Sequence, residues 1–293
     1  MNLKRRGKKK ILFIFLIFIV GFAFFKLQND SITINEIVLQ NEKIPEEFNG
    51  YKILHISDLH NKEFGDDQKG ILSKIKQIKP NIIVITGDLI DSNNTNISIA
   101  MDLIEGAIDI APILYVSGNH ESWSDSYDSL KSQLEGAGVI VLDNEKFEVF
   151  RGNASMEFIG LRDPSFSSSD YLYGEVGSEI QQVLKDLVEA KEIDAEEIKA
   201  NFKILLAHRP ELLNVYSESN VDLVFSGHAH GGQFRLPFIG GVIAPDQGLF
   251  PQLTEGIHIE NNTSMIISRG LGNSIIPIRI FNRPELIVVT LTN

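Results

Sequence analysis

Cysteine is absent from all 293 residues, which excludes a disulfide framework, a thiolate metal site and a cysteine nucleophile. Any bound metal must therefore rest on His, Asp, Glu or Asn. The redox compartment stays open, since a chain without cysteine suits either side of a membrane. Basic charge is scarce beyond the amino terminus. Seven Lys/Arg fall within residues 1–28, which hold no Asp or Glu, leaving 20 basic against 39 acidic groups on residues 29–293, a formal −19 against −12 for the whole chain. An acidic body does not suit duplex nucleic acid, whose binding relies on Lys and Arg neutralising phosphates, so no such partner is expected. Internal repeats are lacking too, and past residue 25 every apolar run is short. Hydrophobic residues nevertheless make up 43% of the chain, enough for a substantial core, and this excludes a disordered or fibrous class.

The one long apolar run, 11–25, follows Lys4, Arg5, Arg6, Lys8, Lys9 and Lys10. Positive charge there holds the amino terminus in the cytosol and directs the rest outward. As a helix these 15 residues cover about 22 Å against ~30 Å of hydrocarbon, between a signal-peptide core and a short anchor. The only small pair at cleavage spacing, Gly21 and Ala23, lies inside the run and precedes Phe24 and Phe25. An uncleaved single-pass anchor is expected, with residues 11–25 in the cell membrane and the remainder extracytoplasmic; a cleaved, exported form is the alternative. Arg5-Arg6 lacks the apolar pair that a twin-arginine signal requires.

Beyond a polar stretch with one alternating segment, 31–39, which reads as an edge or tether strand, short β-branched or Leu-rich runs recur at 52–57, 82–86, 113–117, 202–207 and 221–226. Such runs suit strands buried on both faces. Amphipathic segments near 66–78, 97–108, 124–136, 177–190 and 211–216 read as helices, and 139–142, 146–151 and 156–161 as further strands, the last two joined through Gly152-Asn153. From Gly232 onward helical periodicity gives way to Gly, Pro and short strand-like pieces ending at 286–292.

In open α/β sheets ligands bind at the carboxyl ends of strands. Here those ends carry Asp58-Leu59-His60, Gly87-Asp88, Gly118-Asn119-His120-Glu121, His208, and Gly227-His228-Ala229-His230. In extended backbone i and i+2 share a side, so Asp58 with His60, and His228 with His230, can converge. The glycines before Asp88, Asn119 and His228 allow a sharp turn and a close ligand. Two Asp, one Asn and four or five His form an O/N donor set suited to two divalent cations. Singly, each pattern has a plainer explanation in turn chemistry or a structural histidine; five in order after five strands do not. His55, inside a strand, and His258, in the irregular tail, keep a structural reading.

These residues resemble the calcineurin-like metallophosphoesterase superfamily, whose signature runs D-x-H, G-D, G-N-H-E, H and G-H-x-H, over roughly residues 50–290. Gly231-Gly232-Gln233, Ser268-Arg269-Gly270-Leu271-Gly272, Pro277-Ile278-Arg279 and Asn282-Arg283-Pro284-Glu285-Leu286 are similar to its bacterial membrane-associated phosphodiesterase-like branch, which typically carries an N-terminal membrane or export segment. Ala229 stands where that branch often has Thr. The resemblance implies an α/β fold, a four-layer α-β-β-α sandwich preceded by a membrane helix. It assigns one metal to Asp58, His60, Asp88 and His230 and another to Asp88, Asn119, His208 and His228, with Asp88 bridging. His120 would stabilise the transition state or protonate the leaving oxygen, while Asp91 and Glu121 are equally readable as ligand-orienting or as acidic turn residues.

The expected organisation is a signal-anchor at 1–28, a tether with an edge strand at 29–49 and the metallophosphoesterase domain at 50–293. The expected function is a metal-dependent phosphoesterase, a hydrolase of ester bonds, in which two divalent ions (Mn, Fe, Zn, Co or Ni) and a bridging hydroxide cleave phosphodiester or pyrophosphate bonds. Its partners are a phosphorylated small-molecule or lipid-linked substrate of the envelope, or a nucleotide. Arg209, Arg235 or Arg269 could add positive charge, and residues 163–200 and 232–262 shape the pocket; no substrate-binding residue is assigned. The alternatives are a UDP-2,3-diacylglucosamine-type pyrophosphate hydrolase, whose substrate is cytosolic, and a non-catalytic scaffold, which degenerate ligand positions would signal. A metal-dependent amidohydrolase would show an early His-x-His and a barrel repeat, and neither is present.

Overall fold

The computed structural model describes residues 2–167, 175–189, 202–273 and 277–293. A helix α1 (Asn2–Asp30) contains the apolar run and leads into β1 (Thr33–Gln40). Among the described residues nothing covers most of that run: Ile11 to Val20 remain about half exposed or more, and the stretch Lys9–Asp30 is long and apolar enough to cross a membrane.

Two six-stranded sheets follow. The first contains β1, β2 (Lys52–Ile56), β3 (Ile82–Thr86), β4 (Ile113–Val116) and β5 (Ile140–Val141), and the chain returns at its end to complete it. The second contains β6 (Lys146–Arg151), β7 (Ala154–Gly160), β8 (Lys203–Leu206) and β9 (Leu223–Ser226). Two small hairpins come next, β10 (Arg235–Leu236) with β11 (Gly240–Gly241) and β12 (Ile243–Ala244) with β13 (Gly248–Leu249). The hairpin β14 (Gly256–Glu260) and β15 (Thr263–Ile267) then joins the second sheet, and β16 (Glu285–Thr292) the first. The orders are β1-β16-β2-β3-β4-β5 and β14-β15-β9-β8-β7-β6. β2, β3, β4 and β5 run parallel to one another, as do β7, β8, β9 and β15. The alternating stretch thus forms an edge strand, in register with β16 over its whole length.

The side-chain period of two sorts each central strand between two cores. Leu54, Ile83, Ile85 and Tyr115 face outward onto α2 (Lys69–Ile78), α3 (Ile97–Ile108) and α5 (Tyr127–Gly136). Their neighbours Ile53, Val84, Leu114 and Val116 face inward, against Phe158, Ile204, Leu206 and Phe225 of the second sheet. That sheet's other face, with Ile159, Leu205 and Val224, is covered by α6 (Glu175–Glu189) and α7 (Leu213–Ser217). The result is the four-layer α-β-β-α sandwich. Two residues, Ser117 and Gly118, separate the end of β4 from a four-residue helix α4 (Asn119–Ser122).

Candidate metal centre

The carboxyl ends of β2, β3 and β4 from one sheet and of β8 and β9 from the other meet at one edge of the sandwich. They bring together Asp58, His60, Asp88, Asn119, His208, His228 and His230, all buried. His60 Nε2 lies 3.0 Å from His230 Nε2 and 3.4 Å from Asp88 Oδ2, and His230 Nε2 lies 3.3 Å from Asp58 Oδ1. On the other side of Asp88, His208 Nε2 lies 3.3 Å from the same Asp88 Oδ2, 3.0 Å from Asn119 Oδ1 and 3.2 Å from His228 Nδ1. Asp88 Oδ2 is therefore common to two donor groups. Asp58, His60, Asp88 and His230 form one set, and Asp88, His208 and His228 another, each able to hold a metal ion.

The backbone that achieves this is not extended. Asp58, His60, Asp88, His228 and His230 all have φ between 46° and 63°, the left-handed region that residues other than glycine rarely occupy. The convergence expected from i and i+2 on one face of a strand comes instead from tight left-handed turns off the strand ends. Gly118 and Gly227 serve packing more than turning. A Cβ on Gly118 would strike Asp88 Oδ1, and one on Gly227 would strike Ser57 Oγ and Asp58 Oδ2.

A second layer of contacts holds the turns. Glu121, fully buried on α4, accepts Asp88 N and Gly118 N on Oε2 at 2.8 Å each, and Leu89 N and Ile90 N on Oε1 at 2.8 and 3.3 Å. Burial, and then the charge of Asp88, push its carboxyl up to about 7. Asp91 Oδ2 sits 3.9 Å from His60 Nδ1. The backbone N–H of His228 donates to Asp58, while its Nε2 contacts Asp246 Oδ2 at 3.1 Å. Under Asp58 lies the 268–272 segment, with Leu271 N donating to Ser57 O and Gly272 N to Asp58 O. Buried Arg279 donates to Gly272 O and Asn282 O, and Asn282 Nδ2 donates to His230 O at 2.7 Å.

His120 lies beside the group rather than in it. Its backbone N–H donates to Asp88 Oδ1 at 2.9 Å, and its ring packs between His60 and Trp123. Nδ1 accepts the Ser92 N–H at 3.1 Å. In the neutral ring this places the proton on Nε2, and burial holds the imidazole below its usual range against the pull of Asp88.

The electrostatics ask for cations. Burial opposes a charge on His208, yet Asp88 beside it carries this imidazole up to about 10. His60 is likewise raised by Asp58 and Asp88 against burial. Burial resists ionisation of Asp58 and Asp88 too, but His230 and His208 respectively hold them below the usual carboxylate range. The two buried carboxylates thus draw protons onto His60 and His208, while burial keeps His230 neutral; His60 and His230 point Nε2 atoms at each other, and neither Nδ1 atom has a hydrogen-bond partner. A divalent ion suits this set of imidazole, carboxylate and amide donors better than shared protons do.

Three arginines considered as anion-binding groups are engaged elsewhere: Arg209 with Asp163 and Asp246, Arg235 with Glu255, and Arg269 with Glu285. Of the stretch 163–200, residues 168–174 and 190–200 lie outside the described residues. His55 is buried in β2, its Nε2 bonded to Thr86 Oγ1 at 2.8 Å, and His258 lies in β14, its Nε2 on Glu255 O. Asp246, Arg279 and Asn282 carried no functional signal individually, although the last two fall in motifs noted at Pro277-Ile278-Arg279 and Asn282-Arg283.

The family model for calcineurin-like phosphoesterases matches residues 51–232. The chain is 30% identical over 270 residues to the metallophosphoesterase YkuE of Bacillus subtilis (strain 168), covering 90% of this chain and 87% of that one. It is 27% identical over 248 residues to the phosphodiesterase YaeI of Escherichia coli (strain K12), covering 82% of each. To a transmembrane protein with a metallophosphoesterase domain from Danio rerio it is 26% identical over 263 residues, spanning 87% of this chain and 56% of that longer one.

Proposed function

Because the chain belongs to the calcineurin-like phosphoesterase family, and so is a hydrolase of ester bonds, we propose that it cleaves phosphodiester or pyrophosphate bonds at a centre for two divalent ions. One ion would be held by Asp58, His60, Asp88 and His230, the other by Asp88, Asn119, His208 and His228. When bound, such ions supply Lewis acidity to the phosphoryl oxygens and make a water nucleophilic near neutral pH. The observation that carries this reading is Asp88 Oδ2, equidistant within 0.1 Å from His60 Nε2 and His208 Nε2 at 3.4 and 3.3 Å.

His120 supplies the remaining chemistry. With Nδ1 occupied by Ser92 N–H, its Nε2–H is the donor toward an incoming phosphoryl group, where it stabilises charge developing on a leaving or equatorial oxygen. Glu121 holds the Asp88 turn in place, and Asp246 orients the His228 ring. Residues 1–28 act as an uncleaved anchor, 29–49 connect it to the domain, and the domain of residues 50–293 lies outside the cytosol, in keeping with the basic charge before the apolar run. That orientation favours envelope or extracellular phosphodiesters over a cytosolic UDP-sugar lipid.

The full-length protein, stripped with chelator and refilled with Mn, should hydrolyse bis-p-nitrophenyl phosphate faster than p-nitrophenyl phosphate, and Asp88→Ala should bind no metal and lose the activity. Full activity in Asp88→Ala would overturn the assignment. Faster monoester hydrolysis would overturn the diester preference alone.

A further inference from the structure

The most unusual surface of the domain continues directly from the metal-site loop. After His230 and Gln233 the chain forms the two small hairpins, and these expose Leu236, Phe238, Ile239, Leu249 and Phe250. Phe238 is completely exposed, at 108%. Residues 236–250 contain no Lys or Arg, and their one charge, Asp246, is paired with His228 and Arg209 while about a third of its side chain stays exposed. Water-facing turns ordinarily carry polar residues; this surface has few.

Its position identifies what covers it. Phe234 pairs with Ile280 and Arg235 N donates to Ile280 O, while Val242 N and Phe250 N tie the second hairpin to the first through Phe234 O and Val242 O. Next to Ile280, exposed Phe281 stacks edge-on against Phe24 of α1 at 5.5 Å. Phe24 belongs to the last turn of the apolar run. Gln28 and Asn29, one turn later, bond to Asn282 N and Arg279 N, so helix and domain meet in a fixed joint. The apolar hairpins are therefore adjacent to the point where the helix would leave the hydrocarbon. On another side of the helix end, a groove of about 790 Å³ is lined by apolar Ala23, Leu27, Ile32 and Phe64 together with Lys26, Lys74, Asp30 and Glu63, an amphipathic lining of balanced charge.

We propose that the hairpins of residues 235–250 rest in the bilayer interface, so that the metal-site edge of the sandwich faces the membrane and draws its phosphodiester from lipid headgroups. This rests on α1 being a membrane helix and on the proposed centre being the reacting one. The occupant is a lipid surface because the base of the first hairpin pairs with Ile280, whose neighbour Phe281 packs on the helix that enters the bilayer.

A chain without cysteine makes the test direct. Single spin labels are placed on full-length Phe238→Cys, Phe250→Cys, Phe15→Cys and Lys76→Cys, the last on exposed α2. Each variant is reconstituted in vesicles of phosphatidylethanolamine and phosphatidylglycerol, and label collision with oxygen is compared with collision with a water-soluble nickel complex. Labels at 238 and 250 should behave as the label at 15, favouring oxygen, and opposite to that at 76. Labels at 238 and 250 open to nickel, with 15 protected, would overturn the inference and leave the anchor standing. Spin–spin broadening at 238 would mean that a second copy covers the patch and would overturn it too. Nickel access at all four positions would remove the anchor itself. Independently, the double change Phe238→Ser with Phe250→Ser should leave turnover of soluble bis-p-nitrophenyl phosphate within about twofold and reduce turnover of vesicle-embedded phosphatidyl-p-nitrophenol at least about tenfold. Equal turnover of both substrates by the variant and the wild type would refute the role in substrate access, whereas loss of both would count against the proposed centre.

Discussion

Glu121 Oε2 accepts the backbone N–H of Asp88 at 2.8 Å, so a carboxylate on α4 fixes the residue shared by the two donor groups. It also accepts the N–H groups of Gly118, Leu89 and Ile90. Glu121→Ala would leave these buried donors unpaired, at ~1–3 kcal/mol apiece. A lower melting temperature and metal affinity weakened about 10–100-fold are expected, and thermal unfolding with metal titration measures both. Unchanged metal affinity would show that Asp88 needs no such support.

Removing the His120 ring tests a different link. His120→Ala should retain both metals by elemental analysis and lose kcat by about 10²–10⁴-fold. Because the Nε2–H faces the reacting group in the proposed reading, the loss should be larger for alkyl diesters than for p-nitrophenyl diesters, whose leaving group needs little help. Equal losses on both would place the hydrogen bond on a non-leaving oxygen.

Asp246 holds His228 Nε2 at 3.1 Å while Nδ1 of the same ring faces His208 Nε2. Asp246→Ala frees that orientation. The expected result is about 10–100-fold weaker affinity for metal with kcat largely restored at saturating metal, read from activity against Mn concentration. A kcat that stays low at saturation would instead give Asp246 a part in the reaction.

At Gly227 even one methyl group has no room, since it would meet Ser57 Oγ and Asp58 Oδ2. Gly227→Ala should destabilise by about 1–3 kcal/mol and displace Asp58, so that metal binding falls along with the midpoint of denaturant unfolding. A variant of unaltered midpoint and metal content would mean that the Asp58 turn is softer than its packing suggests.

The central strands were legible in sequence as five short β-branched runs, each ending in Asp, Asn or His at a turn, whereas the four-layer sandwich was implied by the family resemblance alone. Runs such as 82–86 match β3 residue for residue, and Asp58, His60, Asp88, Asn119, His208, His228 and His230 meet as their motifs imply. The turn geometry was hidden because no glycine marks the left-handed φ of Asp58 or His60; the fold imposes it. α4 has only four residues, too few for a helical period. Asp246 and Asn282 act across the chain, 18 and 52 residues from the histidines they touch, and such long-range contacts leave no local pattern. The hairpins of residues 235–250 carry neither strand alternation nor helical spacing.

With α1 as the proposed anchor, the hydrogen bonds that Gln28 and Asn29 accept from the backbone N–H groups of Asn282 and Arg279 would make its end a strut rather than a leash. A leashed hydrolase sweeps a hemisphere and can chase substrates into the surrounding medium. A strutted one works at a single height, on whatever the surface carries beneath it, and its encounter rate follows lateral diffusion in two dimensions more than concentration in three.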